Sequence, residues 1–183
     1  MRLMPEKFRI DFALAFREPL TLKRVRKILF MGSWWMIYFG RLGEGTGCVA
    51  RVARMCYLMM SRRRGIELTY SEKIGGGLLL AHAYSITVNT GVKTGRNVIL
   101  YKGCTLGGIR SGNRKGVPVI GDNVVIGLNA TVVGGVRIGN DVFVAPGAFV
   151  NFDVPDHSVV VGNPGVVHAK EGATKDYFDA KLI

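Results

Sequence analysis

Between residues 68 and 150, apolar residues recur at intervals of six along the chain. The positions are Leu68, Ile74, Leu80, Ile86, Val92, Val98 and Cys104, followed after one interruption by Ile120, Ile126, Val132, Ile138, Val144 and Val150. A period of six fits neither a helical turn of about 3.6 residues nor a simple strand alternation, but three such steps make a coil of about eighteen residues. A triangular solenoid would point all of these side chains inward. The pattern therefore predicts a parallel β-helix.

The chain divides into three predicted parts. Residues 1–65 form a basic helical region, in which Pro5 and Pro19 mark helix boundaries. Residues 66–155 form the β-helix, and residues 156–183 form a C-terminal turn and tail. Cys104 and Ile120 are sixteen residues apart where two steps of six require twelve, so the chain leaves the wall there. We expect an exposed basic loop at about residues 110–119. It is either a tolerated surface insertion or the cover of a site on the adjacent groove.

The positive charge is concentrated at one end of the chain. The formal net charge is +12, of which residues 1–65 contribute +10 from 14 Lys or Arg and 4 Asp or Glu. The β-helix carries little positive charge and no recognised nucleic-acid motif, so we do not predict a nucleic-acid partner. The aromatic and apolar side of the helices, with Trp34 and Phe39, is expected either to pack on the other helices and on a partner subunit or to lie on an anionic membrane surface.

Targeting and cysteine signals indicate a cytoplasmic protein without a metal. The first twenty residues lack a signal-peptide layout, and the uncharged stretch from Ile28 to Gly40 is too short to cross a bilayer as a helix. Cys48, Cys56 and Cys104 have no metal-ligand spacing and are expected to be reduced. A β-helix zinc hydratase would need three histidine ligands, whereas the predicted wall contains a single histidine.

The ordered motifs of residues 66–168 resemble those of a known family. They are Ile66-Glu67-Leu68, Leu80-Ala81-His82-Ala83, Thr105-Leu106-Gly107-Gly108, Val117-Pro118-Val119-Ile120-Gly121-Asp122-Asn123, Val154-Pro155 and Gly162-Asn163-Pro164. This combination is similar to the serine acetyltransferases of the hexapeptide-repeat acyltransferase superfamily. The resemblance implies a left-handed β-helix that assembles as a homotrimer or a dimer of trimers. It also implies transfer of acetyl from acetyl-CoA to a hydroxyl in a groove between neighbouring subunits.

His82 is the candidate catalytic base. A hydroxyl is a poor nucleophile at neutral pH, so its attack on a thioester needs a base, and histidine titrates in the right range. His82 aligns with the family's catalytic histidine, and Glu67 aligns with the carboxylate that orients it. Glu67 lies fifteen residues earlier, close to one coil, so the two side chains are expected within reach of each other. His157 and His168 are expected to be structural because they follow the last coil.

The chain departs from the serine-specific pattern at the expected acceptor contacts. An aspartate precedes the catalytic histidine in the family and an Arg-His-Pro triplet closes the loop. Here Ala81 precedes His82, and Gly116-Val117-Pro118 aligns with the triplet. Losing charge-assisted hydrogen bonds of about 1.5 to 3 kcal/mol each weakens recognition of an amino acid. Free serine is therefore disfavoured and stays the alternative acceptor, if Arg114 or Lys115 replaces the missing arginine. A second resemblance, that of the N-terminal region, implies a sugar hydroxyl of a surface polysaccharide precursor as the expected acceptor.

The N-terminal region also differs from that of typical serine acetyltransferases, and it favours a sugar acceptor. It is shorter than the helical domain of typical serine acetyltransferases and looks more like that of small polysaccharide O-acetyltransferases, whose acceptors are often carried on membrane lipid. A peripheral position at the inner face of the membrane would suit such an acceptor.

The donor implied by the resemblance is acetyl-CoA, running along the groove past the coils. The predicted contacts are Gly107, Gly127, Leu128, Pro146, Gly147 and Lys170, with Arg114 and Lys115 of the loop available to the phosphates. The family commonly has alanine where this chain has Leu128 and Pro146. An interpretation of a different class is a non-catalytic trimeric scaffold that displays the basic helices.

Overall fold

The computed structural model describes residues 5–16, 32–71 and 73–178. Three helices precede the β-strands: α1 (Glu6–Phe16), α2 (Gly32–Leu42) and α3 (Gly47–Arg62). Pro19 and the start of the apolar stretch at Ile28 lie outside the described residues. Each helix packs one apolar side, and α3 buries Ala50, Ala53 and Tyr57 against α2 and the first coil.

The strands wind into three sheets, as the six-residue period predicts. In the described residues the strands are β1 (Leu78–Ala81), β2 (Thr87–Val88), β3 (Lys93–Thr94), β4 (Val98–Tyr101), β5 (Thr105–Gly107), β6 (Val119–Ile120), β7 (Val124–Ile126), β8 (Thr131–Val133), β9 (Arg137–Ile138), β10 (Val142–Val144), β11 (Phe149–Val150), β12 (Ser158–Val161) and β13 (Val166–Ala169). The six-stranded sheet has the order β1-β4-β7-β10-β12-β13, the four-stranded sheet β2-β5-β8-β11, and the three-stranded sheet β3-β6-β9. Every pairing is parallel except β12 with the closing strand β13.

The first departure from a uniform coil lies at the corner between β1 and β2. Leu80 pairs with Leu100, a separation of 20 residues, whereas Thr87 pairs with Thr105, a separation of 18. The corner containing His82 is therefore two residues longer than the equivalent corner one coil later. Strands β1 and β10 each bury two positions two residues apart. An insertion of two residues thus moves the period from one inward position to the other without exposing an apolar side chain.

The second departure is the loop between β5 and β6. Lys93 pairs with Val119 and Val119 with Arg137, separations of 26 and 18 residues, so residues 108–118 add eight residues to their coil. The sequence spacing predicts an excess of four, which is wrong. It is wrong because Cys104 and Ile120 occupy different inward positions of the coil, so the period does not keep one register across the loop. Residues 110–115 are exposed.

A buried ion pair fastens the helices to the open end of the β-helix. The side chains of Asp11 in α1 and Arg41 in α2 are completely buried and form two hydrogen bonds, of 2.8 and 3.0 Å. Arg41 also donates to the carbonyls of Ile74 and Gly75, at 3.1 and 2.6 Å, and the Leu78 N–H donates to Asp11 at 2.8 Å. Although burial alone would lower it, the carboxylate of Asp11 raises the pKa of Arg41, so the guanidinium stays charged.

The outer face of the six-stranded sheet is covered by two segments, helix α1 near the N-terminus and the residues that follow β13. Its outward residues Ile99 and Val125 are buried, and α1 and the C-terminal segment lie over them. The cluster also contains Leu14, Leu79, Ala81, Tyr101, Phe143, Tyr177 and Phe178. Asp141 holds the C-terminal segment because it accepts hydrogen bonds from the backbone of Ala173 and from both the backbone and hydroxyl of Thr174.

Candidate functional site

The corner that carries His82 differs from the other corners in the same column. The later corners between the six-stranded and four-stranded sheets have two residues each: Lys102-Gly103, Leu128-Asn129 and Pro146-Gly147. They stack by hydrogen bonds from Asn129 N–H to the Lys102 carbonyl and from Gly147 N–H to the Leu128 carbonyl, at 3.1 and 2.8 Å. The His82 corner has four residues, His82 to Ser85, and so projects further from the wall.

The backbone of His82 is in the left-handed region. His82 and Ser85 both have φ of 52°, a value close to those of other turn residues of the β-helix, such as Asn129 and His157. The corner is fixed on both sides: Lys102 N–H donates to the Ala81 carbonyl at 3.0 Å, and Ser85 N–H donates to the Arg64 carbonyl at 2.8 Å. The corner therefore presents His82 at a defined position.

The imidazole of His82 is exposed at the edge of an apolar depression. The depression has a volume of about 300 Å³ and lies between α1, α2 and β1. Its lining residues are Ala15, Phe16, Trp34, Ile37, Leu79, Leu80, Ala81 and His82. The ring of Tyr101, on the next coil, lies 6.4 Å from the His82 ring between centroids. Ala81, which precedes His82 in the chain, faces this depression.

Glu67 lies in a larger groove on the outer face of the four-stranded sheet. Its N–H donates to the Ile86 carbonyl at 2.8 Å, which places Glu67 beside the residue that follows the His82 corner. The groove has a volume of about 600 Å³. Its lining residues are Leu58, Ser61, Arg62, Ile66, Glu67, Leu68, Thr69, Thr87, Val88, Asn89, Thr90, Leu106, Gly107 and Gly108. The groove thus brings Glu67 together with Gly107.

The two candidate catalytic residues are not joined by a hydrogen bond in the described part of the chain. The Glu67 carboxylate opens into the sheet groove, and His82 borders the apolar depression across the corner. The corner between them is exposed, and the guanidinium of Arg64 lies 5.3 Å from the centre of the Tyr84 ring there. The hypothesis that Glu67 orients His82 therefore needs a rotation of the side chains or an intervening group.

The exposed loop borders the opposite edge of the same sheet face. A bridge between Ile109 and Gly116 closes it, and Gly135 N–H donates to the Arg114 carbonyl at 2.9 Å. The Arg114 guanidinium lies 3.8 Å from the Asp153 carboxylate, and Lys115 is exposed. Both side chains are thus available at the loop edge, while His82 stands at the corner edge.

The predicted acetyl-CoA contacts fall into three places. Gly127, Leu128, Pro146 and Gly147 line the corner column above His82, where Gly127 N–H donates to the Val144 carbonyl at 2.8 Å. A Cβ at Gly127 would lie 2.6 Å from the Pro146 nitrogen, so only glycine fits that close approach. Gly107 lies in the sheet groove with Glu67. Lys170 lies apart from both, because its N–H donates to the His157 carbonyl at the far corner of the six-stranded sheet.

The sequence reasoning missed the surroundings of His82. Tyr101, Phe16 and Trp34 were not singled out as site residues, yet all three lie at or beside the histidine. Only the strand pairing reveals the elongated corner: Leu80 and Ile86 are six residues apart, whereas their neighbours one coil later, Leu100 and Cys104, are four residues apart. The apolar period carries no signal for it, because Val98 and Cys104 also keep a step of six.

Chemically, the site offers an exposed imidazole, a carboxylate and a wall rich in hydroxyl groups and glycine. Within residues 5–16, 32–71 and 73–178, no cluster of three His, Cys, Asp or Glu side chains could hold a metal ion. A base at one edge and cationic loop residues at the other suit a reaction in which a proton is removed and an anionic substrate is held.

Known proteins are similar to this chain in sequence and in fold. Residues 118–151 match the family model "Bacterial transferase hexapeptide (six repeats)". A serine acetyltransferase of Staphylococcus epidermidis is 34% identical over 174 residues, covering 92% of this chain and 81% of that protein. Against several other curated relatives the chain spans about half their length. One is the serine acetyltransferase of Synechococcus elongatus, 33% identical over 63% of this chain and 47% of that protein.

A solved structure of a serine acetyltransferase is also similar to this chain in fold. The serine acetyltransferase of Neisseria gonorrhoeae in complex with serine superposes with a TM-score of 0.70 at 29% identity, over 90% of this chain and 68% of that chain. The similarity confirms the left-handed parallel β-helix with N-terminal helices that the sequence predicts.

Proposed function

Because the chain belongs to the serine acetyltransferase family of hexapeptide-repeat acyltransferases, we propose that it is an acetyl-CoA-dependent O-acetyltransferase. The observation that carries the proposal is the elongated corner, which holds His82 exposed at the edge of the apolar depression, with the Glu67 groove on the other side of the corner. The relatives' name supports the acetyl donor and the transfer reaction.

In the proposed reaction His82 acts as the general base. The imidazole takes the proton of the acceptor hydroxyl, and the hydroxyl oxygen attacks the thioester carbonyl of acetyl-CoA. Backbone N–H groups of the groove stabilise the oxyanion of the tetrahedral intermediate. The carbon–sulfur bond then breaks, the imidazolium returns its proton to the sulfur, and the products are an acetyl ester and the free thiol of CoA. Glu67 would hold the imidazole in its productive tautomer.

We propose a homotrimer as the working assembly. The outward residues of the four-stranded sheet include Thr87, Thr105 and Thr131, which are only half-buried in the single chain. A second copy facing this sheet would turn the open groove into a closed site and exclude water from the thioester. Mass photometry of the purified protein tests this assembly.

L-serine is the acceptor that the relatives support best. All of the curated relatives described above are named serine acetyltransferase, and the Neisseria gonorrhoeae structure holds serine. Arg114 of the loop would then supply a contact for the carboxylate of serine. Its guanidinium is half-exposed, and its present contact with Asp153 is long, at 3.8 Å, so it is available to a second carboxylate.

A sugar hydroxyl is the second candidate acceptor, favoured by the depression next to His82. Ala81 gives no carboxylate for an amino group, and the aromatic rings of Phe16 and Trp34 line the same space. Aromatic faces pack against the C–H faces of sugar rings, whereas a zwitterion needs charged partners.

Release of CoA thiol from acetyl-CoA with L-serine tests the proposal. We expect His82→Ala to lower the rate by about 10²–10⁴-fold, because a general base contributes that much. His168→Ala is the matched control, since His168 is exposed on β13 away from the site, and it should keep the full rate. A protein that neither binds CoA nor changes on His82→Ala would instead be a non-catalytic scaffold.

The same assay separates the two acceptors. If serine is the acceptor, thiol release will depend on serine. If a sugar is the acceptor, the protein will bind CoA without serine-dependent release, and Ala81→Asp should then raise release with serine by about 10-fold or more, the value of one charge-assisted hydrogen bond. Unchanged release in Ala81→Asp would show that Ala81 does not determine the acceptor.

A further inference from the structure

Helix α3 turns an apolar face away from the molecule. Its inner face is fixed by the buried residues Ala50, Ala53, Tyr57 and Ser61. Several large apolar side chains lie exposed on the opposite side of the helix: Val49 at 66%, Val52 at 52%, Met55 at 60% and Met59 at 58%. Four exposed apolar side chains on one side of a helix of sixteen residues are unusual for a free surface. This set of four residues is called the α3 outer face below; Leu58, which is also exposed, lines the Glu67 groove instead.

The α3 outer face continues into an apolar groove against α2. The groove has a volume of about 320 Å³ and lies between the two helices. It is lined by Phe39, Leu42, Cys48, Val49, Val52 and Ala53. The exposed apolar surface is therefore broader than one helix ridge and can take up an acyl chain or a side chain between the helices.

Arginines border one edge of the α3 outer face, and no acidic residue interrupts them. At 100° per residue, Arg51 and Arg62 lie just beyond Met55 at that edge, and Arg63, one residue past the helix, points between the directions of Val52 and Val49. All three side chains are exposed. Between Glu44 and Glu67 the chain contains no Asp or Glu, so the positive charge of this helix is not neutralised along its own length.

We propose that the α3 outer face binds an anionic membrane surface, with α3 lying in the plane of the interface. An apolar face bordered by arginines matches the acyl region and the headgroups of such a surface at once. Self-association through the same face is disfavoured because it would bring the arginines of two copies together. No described helix is long and apolar enough to cross a bilayer, and the proposed contact requires none. This inference does not depend on the proposed reaction.

Co-sedimentation with vesicles tests the proposal on the full chain. Vesicles of phosphatidylcholine containing phosphatidylglycerol are compared with vesicles of phosphatidylcholine alone. We expect binding to the anionic vesicles only, weakening with added salt. Arg51→Gln combined with Arg63→Gln should weaken binding about 25-fold, at about fivefold for each charge. Val52→Asp combined with Met59→Asp should abolish it, because two carboxylates then face the acyl region.

Matched controls separate a specific face from general adsorption. Lys93→Gln with Arg137→Gln removes two exposed charges from the three-stranded sheet, and Val166→Asp changes an apolar residue that is 55% exposed on β13. Both control proteins should bind vesicles as the unmodified protein does. Circular dichroism verifies that each variant is folded.

Three outcomes would overturn the proposal. They are absence of binding to anionic vesicles, equal weakening in the two controls, or a loss of subunits in mass photometry of folded Val52→Asp/Met59→Asp. The last result would assign the α3 outer face to a second copy of the chain.

Discussion

Two outer faces of the same β-helix have opposite environments. On the six-stranded sheet the outward residues Ile99 and Val125 are 4% and 0% exposed, because α1 and the C-terminal segment cover them. On the four-stranded sheet the outward residues Thr105 and Thr131 are half-buried, and the described part of the chain leaves a groove over the Glu67 end. Strand winding is the same in both sheets, so the difference comes from the outward side chains and from the segments that pack on them.

The difference separates the stabilising face from the face available to ligands. A parallel sheet with apolar residues on both sides must be covered on both sides. Threonine and glycine on the outer side of the four-stranded sheet carry no such requirement, since their hydroxyl and backbone groups are satisfied by water or by a ligand. The candidate site residues Glu67, His82 and Gly107 accordingly lie on or beside the open face.

Placing a carboxylate on each face gives the largest expected effect. Val125→Asp buries an unpaired charge in the apolar cluster between the six-stranded sheet and its covering segments, and should destabilise the fold by about 4 kcal/mol or more, enough to prevent folding of a marginal protein. Thr131→Asp, at an outward position one strand later in the chain, should change the free energy of unfolding of the dissociated single chain by about 0.5 kcal/mol or less. Urea denaturation measures both.

A large destabilisation by Thr131→Asp would contradict the comparison for the single chain. Combined with dissociation in mass photometry, it would mean that a second copy covers the four-stranded sheet, as the proposed trimer requires near its subunit contacts.

Breaking the Asp11–Arg41 ion pair, which anchors α1 and α2 to the first coil, should have the next largest effect. Arg41→Ala leaves the Asp11 carboxylate buried without its partner and removes donors from the Ile74 and Gly75 carbonyls. We expect a loss of about 3–5 kcal/mol in the free energy of unfolding. Arg96→Ala is the matched control, because its pair with Asp122 is exposed and should be worth less than about 1 kcal/mol. Equal effects of the two substitutions would disprove an anchoring role for Arg41.

The β-helix was predictable because its core repeats. A hexapeptide period in apolar residues fixes the inward direction without knowledge of distant contacts, and the position of the loop follows from the break in that period. The lengths of the insertions were not predictable from it, since each strand has two equivalent inward positions. A shift of two residues at the His82 corner therefore leaves the apolar period intact and hides the insertion.

The cover of the six-stranded sheet was not predictable for a different reason. Asp11 and Arg41 lie in separate helices, 30 residues apart, and each looks like an ordinary charged residue of a basic N-terminal region. Their burial depends on how α1 and α2 meet the first coil, which no local pattern encodes. The same holds for Thr174, whose burial comes from Asp141 and the Asn123 carbonyl on earlier coils.

The smallest expected effect concerns the C-terminal part of the cover, which is held by a titrating group. His157 Nδ1 lies 2.9 Å from the Asp141 carboxylate that also binds Ala173 and Thr174. The hydrogen bond with Asp141 raises the pKa of His157 above its usual 6.5, and Glu171 adds to the effect. A raised pKa in the folded state means that this stabilisation is complete below pH 6.5 and is lost as the pH rises through the folded value.

Hydrogen exchange of the Ala173 and Thr174 amides, corrected for intrinsic rates, should therefore show weaker protection at about pH 8 than at about pH 6. His157→Gln should remove this pH dependence, whereas His168→Gln should keep it, because His168 does not contact Asp141. Protection that is independent of pH in the unmodified protein would contradict the role of His157. In that case the hydrogen bonds of Asp141 with Ala173 and Thr174 would hold the C-terminal segment without a contribution from His157. The stability of that segment, like that of α1, would then not depend on a group that titrates near neutral pH.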